Sequence, residues 1–130
     1  LMQMMPATAK EMGVKNRLDP KDNLKGGTKY LLHLHKRFDD ITDSVQRIKF
    51  TMAAYNCGYM HVRDAQKLAD IKKLDRNQWD DHVSEMILAL SYPKNYNLEP
   101  IKYGYVRGIE PYKYVEQIFK RYSHYQKFIQ

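Results

Sequence analysis

Tyr55 and Asn56 are residues that could hold a ligand, because they stand at the predicted end of an apolar helix. Apolar residues recur every three or four positions before them, which predicts one buried helix face made of Val45, Ile48, Met52 and Tyr55. Gly58 then adopts positive φ at little cost and ends the helix. The pair could form the wall of a cleft, but a core tyrosine followed by a turn asparagine fits the same residues.

The five histidines and the single cysteine offer two other kinds of chemistry. His33 and His35 are two residues apart and fall on different helix faces, while His61, His82 and His124 have no partner at ligand spacing. We therefore expect no metal site and interpret the histidines as solvated. A catalytic cysteine needs a neighbouring histidine, but Gly58 interrupts the helix between Cys57 and His61. Cys57 is better explained as a small side chain in a tight position.

A carboxylic acid held in a poorly solvated pocket would indicate acid–base chemistry. The chain contains five glutamates, namely Glu11, Glu85, Glu99, Glu110 and Glu116. Glu11 and Glu85 have basic or polar neighbours on predicted helices, and Glu116 resembles them. Glu110 is expected to cap the last helix or to pair with Arg107. None of the five has the surroundings of a buried acid.

The composition sets limits on the class of protein. The 130 residues suit one domain, and the net charge of +7 favours a polyanionic partner such as nucleic acid, an anionic membrane or a carboxylate-bearing wall polymer. Eleven tyrosines suit the half-exposed walls of a groove for sugars or for single-stranded nucleic acid. One cysteine allows no internal disulfide, and no apolar run is long enough to span a membrane.

The elements that must position these residues are all helical. A short helix is predicted over residues 6–12, and a second from Pro20, capped by Asp19, to about Phe38. Its expected buried stripe is Leu24, Tyr30, Leu31, Leu34 and Phe38.

Asp43 or Ser44 caps the central helix. A fourth helix runs from Met60 to about Ile71 and buries Val62, Ala65, Leu68 and Ala69. A fifth includes Trp79 and Val83 and stops at Pro93, and residues 94–108 form a long ordered loop before a final helix. No strand pattern is present, so the predicted class is all-α.

Four sequence blocks, taken in order, resemble one family. They are Leu1-Met2-Gln3-Met4-Met5-Pro6-Ala7-Thr8-Ala9; Leu18-Asp19-Pro20 with Asn23-Leu24, Gly27 and Tyr30-Leu31; Ala54-Tyr55-Asn56-x-Gly58; and Tyr105-Val106-Arg107-Gly108-x-Glu110 with Tyr114-Val115 and Ile118. Together they resemble the soluble lytic transglycosylase (SLT) domain, a goose-lysozyme-like all-α fold. The last block is most similar to the membrane-bound lytic murein transglycosylase F type.

The resemblance implies cleavage of the β-1,4 bond between N-acetylmuramic acid and N-acetylglucosamine in peptidoglycan. The muramic 6-hydroxyl attacks the anomeric carbon, so a 1,6-anhydro sugar forms and no metal or other cofactor is needed. Met2 and Gln3 match a family motif that lines the sugar cleft, Tyr55 and Asn56 match the motif beside the catalytic acid, and Tyr114 matches a tyrosine that contacts that acid. Glycan strands are the expected partner, and nucleic acid is not.

The chain departs from the family pattern in two places. Cys57-Gly58-Tyr59 replaces the usual Ala-Gly-Pro, although the small residue and the glycine remain. The family's catalytic glutamate precedes the motif in which this chain begins. We therefore expect residues 1–130 to be the C-terminal part of a catalytic domain truncated at its N-terminus, with its acid upstream of Leu1 and no activity alone.

Further expectations follow from that interpretation. The alternative function is a non-catalytic glycan-binding module with the same cleft. Loss of the acid-bearing helix would expose apolar surface near Leu1, Met2 and the central helix, which favours self-association. The resemblance places the full-length protein in the periplasm or cell envelope, including association with the outer membrane, and allows for a ligand-binding domain upstream.

Overall fold

The computed structural model describes residues 20–129, which form an all-helical bundle. Its elements are α1 (Pro20–Arg37), α2 (Ser44–Cys57), α3 (Tyr59–Ile71), a π-helical turn (Trp79–Val83), α4 (Ser84–Ala89), α5 (Pro93–Tyr96) and α6 (Ile109–Ile129). No strand occurs in this range. The predicted all-α class is confirmed. The helix expected over residues 6–12 and the Asp19 cap lie outside the described residues.

The central helix α2 contacts α1, α3 and α6. Of the two predicted cap residues, Asp43 and Ser44, it is Asp43 that accepts a hydrogen bond from the Gln46 amide, at 2.9 Å; such a cap is typically worth about 1 kcal/mol. The buried face, however, differs from the prediction: Val45 and Ile48 are 48% and 40% exposed. The buried residues of α2 are Gln46, Phe50, Thr51, Ala53 and Ala54. The Phe50 ring meets the Trp79 ring edge to face, with 5.6 Å between centroids.

Helices α1 and α3 both pack against α2 and contribute residues to the same core. The predicted bounds of α1 are confirmed to within a residue, and Leu34 and Phe38 are buried, but Leu24 is 56% exposed and does not belong to the predicted stripe. All four core residues predicted for α3 are fully buried, namely Val62, Ala65, Leu68 and Ala69. The Arg63 guanidinium binds both carboxylate oxygens of Asp40 at 2.9 Å, which ties α3 to the turn after α1.

The predicted fifth helix is broken at its start. Asp80 is extended, with ψ 127°, and Asp81 has φ 65°, so regular helix begins only at Ser84. Gln46 explains the break: its side-chain oxygen accepts from the Trp79 amide at 2.7 Å and its Nε2 donates to Asp80 at 3.3 Å. The Trp79 amide and the Asp80 carboxylate are thus bound by a side chain of α2 rather than by groups of a regular helix. At the other end α4 stops at Ala89, and Pro93 begins α5 rather than ending the preceding helix.

The long loop begins after α5 and is held by a buried carboxylate. Asp64, on α3, is fully buried and accepts hydrogen bonds from the backbone amides of Lys102 and Tyr103, at 3.3 and 2.8 Å. The Val106 amide donates to the Leu90 carbonyl at 3.3 Å. The expected ordered loop is therefore present, but it is shorter than predicted because α5 forms its first part. None of the helices between residues 20 and 129 has the length and apolar character required to cross a bilayer.

Candidate functional site

Three tyrosines from three helices meet beside the end of α2. The Tyr55 ring lies nearly parallel to that of Tyr114 on α6, with 6.5 Å between centroids and 15° between planes. Tyr30 on α1 also contacts the Tyr55 ring, with 5.7 Å between centroids and 44° between planes. The structure thus brings together two of the predicted site residues, Tyr55 and Tyr114, because α2 packs on both α1 and α6.

The aromatic cluster (Tyr30, Tyr55 and Tyr114) includes two phenols, those of Tyr55 and Tyr114, that remain protonated near neutral pH. Burial, followed by the neighbouring phenols of Tyr114 and Tyr30, raises the pKa of Tyr55 to about 12. Burial also raises the pKa of Tyr114. A neutral phenol donates a hydrogen bond, so each of these two hydroxyls can orient a carboxyl or carbonyl oxygen.

The Tyr55 hydroxyl is buried and has no hydrogen-bond partner within residues 20–129. A buried polar group left without a partner costs about 1–3 kcal/mol. Native structures rarely retain such a group without a reason, and a ligand or catalytic group is one reason. The aromatic cluster therefore contains a donor that is available to a further group.

Asn56 follows Tyr55 in the chain and lies at the corner of the backbone between α2 and α3. Gly58 has φ 105° and both ends α2 and begins α3, with its amide donating to the Ala54 carbonyl at 2.8 Å. The helix end predicted at Gly58 is thereby confirmed. Asn56 is exposed at this corner, so its amide faces solvent beside the half-buried Tyr55. Met2 and Gln3, the other predicted substrate-binding residues, lie outside the described residues.

Cys57 has the properties of a structural residue. Burial raises the pKa of its thiol to about 12, so almost none of it is the thiolate that acts as a nucleophile. Its sulfur lies 3.8 Å from the Gly58 carbonyl oxygen. These properties agree with the prediction that Cys57 fills a tight position.

The interpretation of every histidine as solvated is wrong for His61. Its Nδ1 is buried without a hydrogen-bond partner in the described range, and burial lowers its pKa, opposed by the charge of Asp64. His82 also has a structural contact, because its Nδ1 accepts from the Asp75 amide at 2.9 Å. Within residues 20–129, no group of three His, Cys, Asp or Glu side chains could hold a metal ion.

The glutamates that the structure describes are solvated. Glu85, Glu99, Glu110 and Glu116 are all exposed, in agreement with the sequence interpretation. Glu110 pairs with Arg107 at 3.4 Å, as predicted. Glu11 lies outside the described residues. None of the four described carboxylates belongs to the aromatic cluster.

Sequence reasoning missed the place of Tyr30 in the site. Tyr30 was assigned to the buried stripe of its helix, but its ring lies against Tyr55 at one side of the aromatic cluster. A signal was available, because Tyr30 stands in the second of the four resembling blocks. Helical spacing alone could not distinguish a core contact on α1 from a site contact.

The fold and the site define an all-helical domain with a tyrosine-lined wall where helices end. A sequence profile of the Transglycosylase SLT domain family matches residues 1–78. The chain is 43% identical over 123 residues to proteins from Desulfosudis oleivorans and Pseudomonas fluorescens, and 43% identical to one from Shewanella sediminis, each named membrane-bound lytic murein transglycosylase F.

The chain belongs to the SLT-domain transglycosylase family. The matched region covers 95% of this chain but only 26% of the Desulfosudis protein and 25% of the other two. The chain therefore spans about a quarter of the length of these relatives.

Proposed function

We propose that this chain forms part of a lytic transglycosylase that cleaves the β-1,4 bond between N-acetylmuramic acid and N-acetylglucosamine in peptidoglycan. A carboxylic acid protonates the glycosidic oxygen as the bond to the anomeric carbon breaks. The muramic 6-hydroxyl then attacks that carbon and gives its proton to the carboxylate, so the acid is regenerated and a 1,6-anhydro ring closes. Family membership supports the reaction class, and the observation that carries its assignment to this site is the Tyr55 hydroxyl, which has no hydrogen-bond partner within residues 20–129.

Each site residue has a role in this proposal. Tyr114, a neutral phenol beside Tyr55, supports catalysis by orienting the proton of the acid. Asn56 hydrogen-bonds to hydroxyl or N-acetyl groups of the sugar, and Tyr55 completes that wall. Met2 and Gln3 are assigned to substrate binding by the family motif alone. No metal or other cofactor takes part in the proposed reaction.

The acid itself is proposed to lie upstream of Leu1. The exposure of all four described glutamates supports this, because an exposed carboxyl lacks the desolvation that a general acid near neutral pH requires. The 130-residue chain would then be inactive alone.

The test compares the 130-residue chain with an N-terminally extended form that includes the family's acid-bearing helix. Both are incubated with purified peptidoglycan, and soluble products are analysed by mass spectrometry. We expect 1,6-anhydro muropeptides from the extended form only. Anhydro products from the 130-residue chain would overturn the placement of the acid, and none from the extended form would overturn the proposed reaction.

A non-catalytic glycan-binding module is the second candidate function. The absence of a buried glutamate from the aromatic cluster within residues 20–129 favours it for this chain. Co-sedimentation with insoluble peptidoglycan separates the candidates: binding retained by the extended form without any product would favour the module. Asn56→Ala should weaken that binding, whereas the exposed Asn77→Ala, outside the site, serves as the matched control.

The proposal extends to partners and location. Peptidoglycan strands are the proposed partner. The proposed location of the full-length protein is the periplasm or cell envelope, in association with the outer membrane, and a ligand-binding domain is proposed to lie upstream of this chain.

Self-association is proposed through the exposed apolar face of α2, which includes Val45 and Ile48. Light scattering should give a mass above that of a monomer, and Val45→Lys should reduce it. A monomeric mass at high concentration would contradict this part.

A further inference from the structure

A cavity of about 220 Å³ lies on the side of α6 that does not carry the aromatic cluster. It is open to solvent on one side and lies between α2, the π-helical turn, the start of α4 and α6; its lining residues are Lys49, Trp79, Asp80, Asp81, Ser84, Tyr112, Val115, Glu116 and Phe119. Tyr112, Glu116 and Phe119 share one face of α6, since they are spaced four and three residues apart. Tyr114 is two positions from Tyr112, about 200° around the helix, so the cavity is separate from the proposed sugar wall.

The charge of the cavity is opposite to that of the chain. The protein carries a net charge of +7, yet three of the lining residues are carboxylates and only one, Lys49, is cationic. Burial, followed by the negative charges of Glu85, Glu116, Asp81 and Asp80, raises the pKa of Tyr112. Negative potential is thus concentrated around one aromatic ring in a protein that is otherwise basic.

The chain already places an ammonium group in these surroundings. Lys49 Nζ lies 2.6 Å from the Asp80 carboxylate and 4.9 Å from the centre of the Phe119 ring. With Gln46, this bond holds the pKa of Asp80 below its usual range, against the opposing effect of burial. One carboxylate and one aromatic ring of the cavity are therefore occupied by a cation of the chain itself.

The other polar and aromatic groups that line the cavity could bind a second cation in the same way. Neither Asp81 nor Glu116 forms an ion pair within residues 20–129. Ser84 is only 4% exposed and lines the cavity. Two carboxylates and a hydroxyl supply acceptors for the three N–H donors of an ammonium group, and the Tyr112 ring supplies a face for its charge.

We propose that this cavity binds a primary alkylammonium group, as carried by a lysine-type side chain or by another free amine on a peptide. A volume of 220 Å³ is several times the share of one water molecule, about 30 Å³, so the first carbons of the alkyl chain fit as well. Trp79 and Phe119 provide apolar contacts for these carbons. The inference goes beyond the proposed function and does not depend on it.

The test uses the only tryptophan of the chain, which lines the cavity and is 3% exposed. The 130-residue chain is titrated with n-butylamine hydrochloride while Trp79 fluorescence and its indole NMR signal are followed at constant ionic strength. We expect saturation with a dissociation constant of about 1–10 mM. Butanol, the uncharged analogue, and sodium butyrate, the anionic one, should leave the Trp79 signals unchanged. Saturation by either would overturn the proposal.

Matched variants separate the cavity from general attraction of cations. Asp81→Asn, which tolerates the positive φ, and Glu116→Gln should each weaken butylamine binding about threefold. Ser84→Ala should weaken it by a similar factor. Glu99→Gln removes an exposed carboxylate that does not line the cavity and should bind as the unmodified chain does. Equal binding by Glu116→Gln and Glu99→Gln would overturn the assignment to this cavity.

A second ligand identifies the source of the amine. Nα-acetyl-lysine amide presents the same ammonium on a peptide-like backbone. Tighter binding than butylamine supports a peptide-borne amine, and an equal dissociation constant supports recognition of the amine alone. Failure of both ligands to saturate would overturn the proposal whatever the outcome of the peptidoglycan assay.

Discussion

Replacing Gly108 by alanine should destabilise the protein through a clash of backbone with backbone. Gly108 stands immediately before α6, where the chain passes against α4. A Cβ atom added there would lie 2.0 Å from the Ile87 carbonyl oxygen and 2.8 Å from the Leu88 Cα. No side chain can rotate to relieve this contact, so α6 or α4 must move.

The size of the effect follows from the distances. Atoms in contact normally stay about 3.5 Å apart, so relief of the 2.0 Å contact requires a shift of about 1.5 Å. Overpacking usually costs about 1–3 kcal/mol, and we expect about 3 kcal/mol because the neighbour is backbone. For a domain of this size the melting temperature should fall by about 10 °C. Tyr114 lies on the displaced helix, so its contact with Tyr55 should loosen as well.

Gly104→Ala is the matched control, because it makes the same chemical change in the same loop. Gly104 has φ 70° but nothing within 4 Å of its added Cβ, so only the backbone conformation costs energy, about 1–2 kcal/mol. Thermal and urea unfolding followed by far-UV circular dichroism measures both variants. Gly108→Ala should lose at least 1 kcal/mol more than Gly104→Ala. A smaller loss for Gly108→Ala would refute the close approach of α6 to α4.

Three further predictions concern single residues. In the extended form that contains the acid, Tyr114→Phe should lower turnover roughly 10- to 100-fold with little change in peptidoglycan binding, and an unchanged rate would remove its assigned role. Asp64→Asn removes one of two carboxylate oxygens that accept from backbone amides, so it should cost about 2 kcal/mol and speed amide exchange at Tyr103; unchanged exchange would contradict the anchoring role. Burial raises the pKa of the Cys57 thiol from 9.0 to about 12, so the folded chain contains far less thiolate at pH 8 than the unfolded chain. Cys57 should therefore react with a thiol reagent roughly 1,000-fold more slowly in the folded chain. Equal rates would refute its burial.

Local sequence signals predicted the elements whose neighbours are close in the chain. The start of α1 followed from Pro20, and the cap of α2 was narrowed to Asp43 or Ser44, of which Asp43 is the cap. The buried face of α3 was predicted correctly because Val62, Ala65, Leu68 and Ala69 form one clear stripe. At the candidate site, Tyr55 and Tyr114 do come into contact, although only the family resemblance had linked residues so far apart.

The errors arise where a distant partner decides the outcome. On α2, a stripe with Val45 and Ile48 competes with one that includes Gln46 and Phe50, and polarity favours the wrong one. Gln46 is buried because a residue 33 positions later, Trp79, supplies a backbone donor for its side chain. The same contact breaks the predicted fifth helix, so one unforeseen pair explains both errors.

The corner at Gly58 restricts how this domain can vary. Because α2 ends at Cys57 and α3 begins at Tyr59, no spacer separates the two helices. An inserted residue would rotate Asn56 and Tyr55 by about 100° relative to α3, which is anchored in the core. The positions of Tyr55 and Asn56 relative to α3 are therefore fixed by the direct junction of the two helices. Differences in ligand preference between relatives should accumulate instead in the loop that Asp64 holds. Exposed side chains of that loop can change while the hydrogen bonds from its backbone amides to Asp64 are kept.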